Sequence, residues 1–227
     1  MKPAIALLAL ALGALACGQS RPQPIVVSPA TQALHEHAFI ADLHMDPLMH
    51  HRDLLVRSDD GDTDIPRLRE AGVDLAGFGI VTEPIPLLGE AGIRTGFWWW
   101  GWPPEARRSP LARALAQLDE IDRLLARDPG LRLVRTPEDL DAVRAERAFG
   151  LIASLEGAEA VADDPAAIRR LHARGVRVVG LTHLRDNRLG GSGSPTIPIL
   201  DWYARGDDPG LTAVGRAVLA AMEGLPF

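Results

Sequence analysis

Three short segments carry side chains able to grip a divalent cation. His44-Met45-Asp46 sets an imidazole and a carboxylate two residues apart. If the segment is a strand, alternation points both at one place. Glu156 follows the apolar run 149–155, and His183 follows a second run, 176–182. One imidazole with two carboxylates suits a borderline ion such as zinc, and a bound ion of that kind activates water for hydrolysis. Each residue alone has an ordinary explanation as a charged strand end or a hydrogen-bonded core histidine. Their shared position after successive apolar runs is what points to a site.

These residues need elements to position them. Short apolar runs at 37–44, 73–81, 149–155 and 176–182 read as strands. Between them lie helical patterns. Asp64-Ile65-Pro66 opens one that closes near Gly72, and Leu111 to Leu125 recurs at helical spacing. Thr136-Pro137 and Asp164-Pro165 open two more, and residues 212–223 form a last amphipathic helix. Alternation of this kind implies an α/β chain with a parallel sheet, its strands buried on both faces. Four β/α units fit the pattern. A closed (β/α)8 barrel needs eight strands and roughly 250 residues. Two folds remain: a small open sheet, or a partial (β/α)8 barrel of about its first four units. In barrels the site lies at the C-terminal strand ends, where His44, Asp46, Glu156 and His183 fall.

The chain has 227 residues, 47% hydrophobic and 24% charged, with net charge −6. That composition suits a globular core, and without a basic run it argues against nucleic acid as partner. Lys2 precedes an apolar run, Ala4 to Ala16, too short to span a bilayer and fitting a signal peptide over 1–16. The sole cysteine, Cys17, follows the small-x-small site Ala14-Leu15-Ala16. Two readings stand: Cys17 takes a lipid and anchors the chain to the cell envelope, or it is the unmodified N-terminus of a secreted protein. Residues 17–30 read as a tether and 31–227 as the barrel portion. The Trp98–Trp102 cluster, in an insertion after the second strand, reads as packing over the strand ends, with a lid as the alternative. His50 and His51 read as solvated loop residues.

Five ordered segments resemble the membrane (renal-type) dipeptidase family. They are Asp42-Leu43-His44-Met45-Asp46, residues 64–73 (DIPRLREAGV), Ser154-Leu155-Glu156-Gly157, Gly180-Leu181-Thr182-His183 with Asn187, and residues 210–218 (GLTAVGRAV). The resemblance implies a (β/α)8 barrel with two zinc ions that hydrolyses dipeptides through a metal-bridging water, often with a D-residue at the C-terminal position. It implies that His44 and Asp46 bind the first zinc, that Glu156 bridges both, and that His183 contacts substrate and steadies the tetrahedral intermediate. The family's two further histidine ligands, a substrate-binding arginine and a proton-transferring aspartate would follow residue 222, and the chain ends at Phe227. The expectation is therefore one well-liganded zinc at most and little activity alone, in a chain exported to the periplasm or anchored to the envelope. A non-catalytic envelope lipoprotein, keeping the fold as a binding or scaffold module, is the competing expectation. The sequence does not fix an oligomeric state.

Overall fold

A computed structural model of the chain describes residues 26–84, 89–192 and 210–226. The signal-peptide run and Cys17 lie outside the described residues. The chain divides into two compact units between Ala38 and Phe39. Of the first unit, helix α1 (Pro29–His37) is described. Ser28 caps it by accepting from the Thr31 N–H, and Pro29 fits the first turn, where no amide partner is needed. The apolar run that begins at His37 in the sequence therefore starts its strand three residues later.

In the second unit the elements run β1 (Ile40–Met45), α2 (Ile65–Glu70), β2 (Val73–Val81), α3 (Gly89–Trp99), α4 (Pro110–Arg127), β3 (Leu131–Leu133), α5 (Pro137–Glu146), β4 (Phe149–Glu156), α6 (Ala167–Ala173), β5 (Val176–Val179) and α7 (Ala213–Met222). Short 3-10 turns at Pro47–Met49 and Ala158–Val161 follow β1 and β4. Helix starts match their local chemistry. Asp64, Ser109, Thr136 and Thr212 each accept from a backbone N–H three residues on, and Thr136 forms a reciprocal capping box with Asp139.

The described strands pair in parallel, in the order β1-β2-β4, and one isolated antiparallel bridge joins Gly190 to Leu211. The far edge of β4 is shared. Its first half pairs with β3 and its second half with β5. β3, only three residues long, has too short an apolar signature to announce itself in the sequence. β5 ends at Val179, three residues before its apolar run does.

The β2–β4 register sets Leu75 opposite Gly150 and Val81 opposite Glu156 without a bulge. Alternation then separates two faces. One carries Ala76, Phe78 and Ile80 beside Leu151, Ala153 and Leu155, and it belongs to the main core with Leu118, Ile121 and Leu124 of α4. The other carries Gly77 and Gly79 beside Ser154 and Glu156, and small residues there leave the space a site requires. The expectation of strands buried on both faces holds for β2 and β4. It fails at the edges: residues 41–44 of β1 are exposed, and so is Val178 of β5. Edge strands lack a neighbour on one side, so apolar sequence there does not ensure burial. Among the described residues, no helix is long and apolar enough to cross a membrane.

Candidate metal centre

β1 delivers His44 near its end and Asp46 just beyond it. β4 delivers Glu156 as its last residue. Because β2 lies between these strands, its side chains would ordinarily fill the gap. Gly79 prevents that. A Cβ on Gly79 would stand 2.1 Å from Asp46 Oδ1 and 3.3 Å from Glu156 Oε2. The glycine is thus a spatial requirement of the site, and sequence reasoning did not single it out. Its signal was faint: two glycines two residues apart within an otherwise apolar strand.

With that gap open, one donor atom from each of His44, Asp46 and Glu156 lies within 4.8 Å of the others. His44 Nε2 is 3.7 Å from Asp46 Oδ1 and 3.4 Å from Glu156 Oε2. His183, from the loop after β5, stands beside this group. Its Nε2 is 2.9 Å from Glu156 Oε1, so Glu156 turns one oxygen to the cluster and the other to His183. The four residues picked out from strand ends are therefore brought together.

Electrostatics in this group is unbalanced. Burial, aided by the Glu156 charge beside it, pushes the Asp46 carboxyl up to about 6. The hydrogen bond to His183 holds Glu156 below its ordinary value despite burial. Burial pushes His183 down, but the hydrogen bond to Glu156 and the surrounding carboxylates outweigh it and raise it. Asp46 Oδ1, Glu156 Oε2 and His183 Nδ1 are buried without a hydrogen-bond partner among the described residues. Two partnerless carboxylate oxygens aimed at one point, beside an imidazole nitrogen, are a fit for a divalent cation. The cation would supply the charge that otherwise only protons balance.

The turn after β4 requires a glycine as well. Gly157 has φ +76°, and a Cβ there would meet Glu159 Oε2 at 2.4 Å. His50 and His51 do not join the ligand group. His51 stacks on Trp102 at 4.6 Å between ring centroids, and His50 on Trp100 at 5.4 Å. Trp102 Nε1 donates to the Met49 carbonyl, and Phe97 and Trp102 are buried in a small core with Ile93 and Ala106. The insertion is therefore pinned to the loop after β1, and both imidazoles stack on indoles while His51 stays exposed and His50 partly so. Trp98 and Trp99 stay exposed. A cavity of about 200 Å³ lies beside Asp46, lined by Met49, His50, Arg52 and Thr63 among others.

Known proteins share this arrangement of elements. The dipeptidase AC, a solved metallopeptidase of family M19, is 26% identical with a TM-score of 0.60, over 82% of this chain and 55% of that one. A metallopeptidase from Rhodobacter sphaeroides, solved with a phosphinate mimic of the dipeptide L-Ala-D-Ala, is 25% identical with a TM-score of 0.59, over 82% and 56%. Dipeptidase ataJ from Aspergillus terreus (strain NIH 2624 / FGSC A1156) is 32% identical over 130 residues, 56% of this chain and 29% of that protein. The chain thus spans less than a third of this curated relative and about half of the solved ones. The sequence profile of the membrane dipeptidases matches residues 29–225. On that match, the chain belongs to the membrane dipeptidase family, peptidase family M19.

Proposed function

We propose that this chain serves in the metal-dependent hydrolysis of dipeptides, with His44, Asp46 and Glu156 holding one zinc ion. The observation that carries the reading is the convergence of those three donors, two with buried oxygens lacking partners, across the gap that Gly79 leaves. A zinc ion, when bound, supplies Lewis acidity to a peptide carbonyl and acidifies water. The protein's own residues do the rest. Glu156 fixes His183 through Nε2, so the ring cannot turn freely. Nδ1, buried without a hydrogen-bond partner among the described residues, is the ring's remaining proton-holding atom. The cavity beside Asp46 has room for a small side chain, consistent with a dipeptide.

Among the described residues, one group of three metal-competent side chains converges, His44, Asp46 and Glu156. We therefore propose a partial barrel holding a single ion, with weak or no dipeptide turnover by this chain alone. The leader and Cys17 support export and a lipid anchor in the cell envelope. The test is hydrolysis of L-Ala-D-Ala and of L,L-dipeptides by the zinc-loaded chain, with and without chelator. The expected result is zinc uptake with turnover near the blank. Rapid, chelator-sensitive hydrolysis would uphold the dipeptidase chemistry but overturn the single-ion limit. A second reading is a binding or scaffold module. It predicts dipeptide binding without turnover, unchanged by Glu156→Gln.

A further inference from the structure

Asn187 sits in the loop between β5 and α7, and every hydrogen-bonding function of its side chain is used. Nδ2 donates to Glu159 Oε1 at 2.6 Å and to the Leu181 carbonyl at 2.8 Å. Oδ1 accepts from the Leu189 N–H at 2.8 Å and the Gly190 N–H at 3.2 Å. An amide has two donor hydrogens and two acceptor sites, so the side chain is saturated. Its own N–H donates to the Gly190 carbonyl at 3.0 Å, closing the loop on itself.

The partners define what this amide joins. Glu159 stands in the 3-10 turn three residues after Glu156. Leu181 precedes His183 by two residues, and its carbonyl also accepts from the Ala158 N–H at 3.2 Å. Further along the same loop, Ser192 Oγ donates to the His183 carbonyl at 2.9 Å, and the Ser192 N–H donates to Asp186 at 2.7 Å. His183 is thus held by its loop on the main-chain side and by Glu156 on the ring side. Asn187 thus adds a side-chain tie between the loop of His183 and the turn after Glu156, beside the Ala158 N–H bond to the Leu181 carbonyl.

We propose that Asn187 is a positioning residue, setting where His183 stands relative to the metal ligands by clamping its loop to Glu159. This rests on the site reading given above. Aspartate in its place has the same shape but cannot donate to the Leu181 carbonyl or to Glu159, and it sets like charge against like. Glu159→Gln supplies a donor for the 187–159 bond, so that bond can be exchanged, while the Leu181 carbonyl still lacks the donor that Asn187 gave it.

The experiment uses the full chain at fixed pH with four variants: Asn187→Asp, Asn187→Ala, Glu159→Gln, and Asn187→Asp with Glu159→Gln. Amide hydrogen exchange and histidine ring NMR are read on each, the His183 signal being assigned by its loss in His183→Ala. Asn187→Asp is expected to speed exchange at Leu189, Gly190 and Ser192 at least tenfold. The His183 ring signal should move toward that of a solvent-exposed histidine while His44 and the β2 and β4 amides stay put. The double variant should recover part of both changes, the share carried by the bond to residue 159, and Asn187→Ala should resemble Asn187→Asp in milder form. An unmoved His183 signal in both single Asn187 variants would overturn the proposal. So would loosening spread evenly over the sheet, or a double variant no better than Asn187→Asp. Zinc titration of the parent chain reports separately on the site. If zinc fails to bind, the metal reading falls while the exchange and ring comparisons still decide the role of Asn187.

Discussion

The most demanding residue in the site is one without a side chain. A methyl at position 79 would overlap Asp46 Oδ1, so Gly79→Ala must displace a ligand. In a strand, alanine for glycine would otherwise be neutral or mildly stabilising. We expect Gly79→Ala to keep its circular dichroism while zinc affinity, by calorimetry, falls at least tenfold. Asp64 shows the other kind of indispensable residue. It is buried, caps α2 through the Arg67 N–H, and pairs with the Arg67 guanidinium. Burial pushes its carboxyl up, but the Arg67 and Ser58 N–H bonds and the Arg67 and Arg52 charges outweigh this and hold it below its ordinary value. Asp64→Ala should cost about 1–2 kcal/mol in urea unfolding, the range for a lost cap. The sign with pH follows. A depressed carboxyl stabilises the fold fully above its unfolded value, and that contribution disappears as acid takes the pH down through the folded value. The parent chain should therefore lose this increment on acidification into the low carboxylate range, and Asp64→Ala should not. Asp64 was legible as a cap because it precedes Ile65-Pro66. The proposed ligands stood out in the sequence because strand ends advertise themselves by where apolar runs stop. Gly79 was not, since its role depends on which two strands flank it.

At the scale of elements, α4 is tied to the sheet by Gln117. Its Oε1 accepts from the Val81 N–H at 3.2 Å, and its Nε2 donates to the Val81 carbonyl at 2.8 Å and the Arg113 carbonyl at 3.2 Å. A side-chain amide thus pairs with the end of β2 as a neighbouring strand would. Gln117→Leu keeps the volume but strands a buried donor and acceptor, which costs about 2–4 kcal/mol taken together. Urea unfolding should show a loss of that size, with the slope unchanged. Sequence periodicity gave the extent of α4 nearly to the residue, because an amphipathic helix repeats its apolar face over many turns. It missed α3 and β3. The first lies within an insertion dominated by aromatics, and the second is too short to show a period. It set β1 three residues early because a Ser-Pro helix start at Ser28 captures the chain through His37.

On the scale of the whole molecule, a parallel α/β sheet was predictable from alternation, and the described strands stand in the order β1-β2-β4 with β5 beyond. The splitting of the β4 edge between β3 and β5 was not, because it depends on pairing between strands rather than on any one of them. Exposure along β1 and at Val178 likewise reflects which strands stand at the sheet's edges. The central claim is that this architecture gathers His44, Asp46 and Glu156 around one divalent ion. The most direct measurement is the zinc content of the full chain after dialysis against micromolar zinc, beside that of Glu156→Gln. The parent should hold about one zinc per chain, and the variant should bind it at least tenfold more weakly. A parent chain that retains no zinc, or a variant that retains as much, would contradict it.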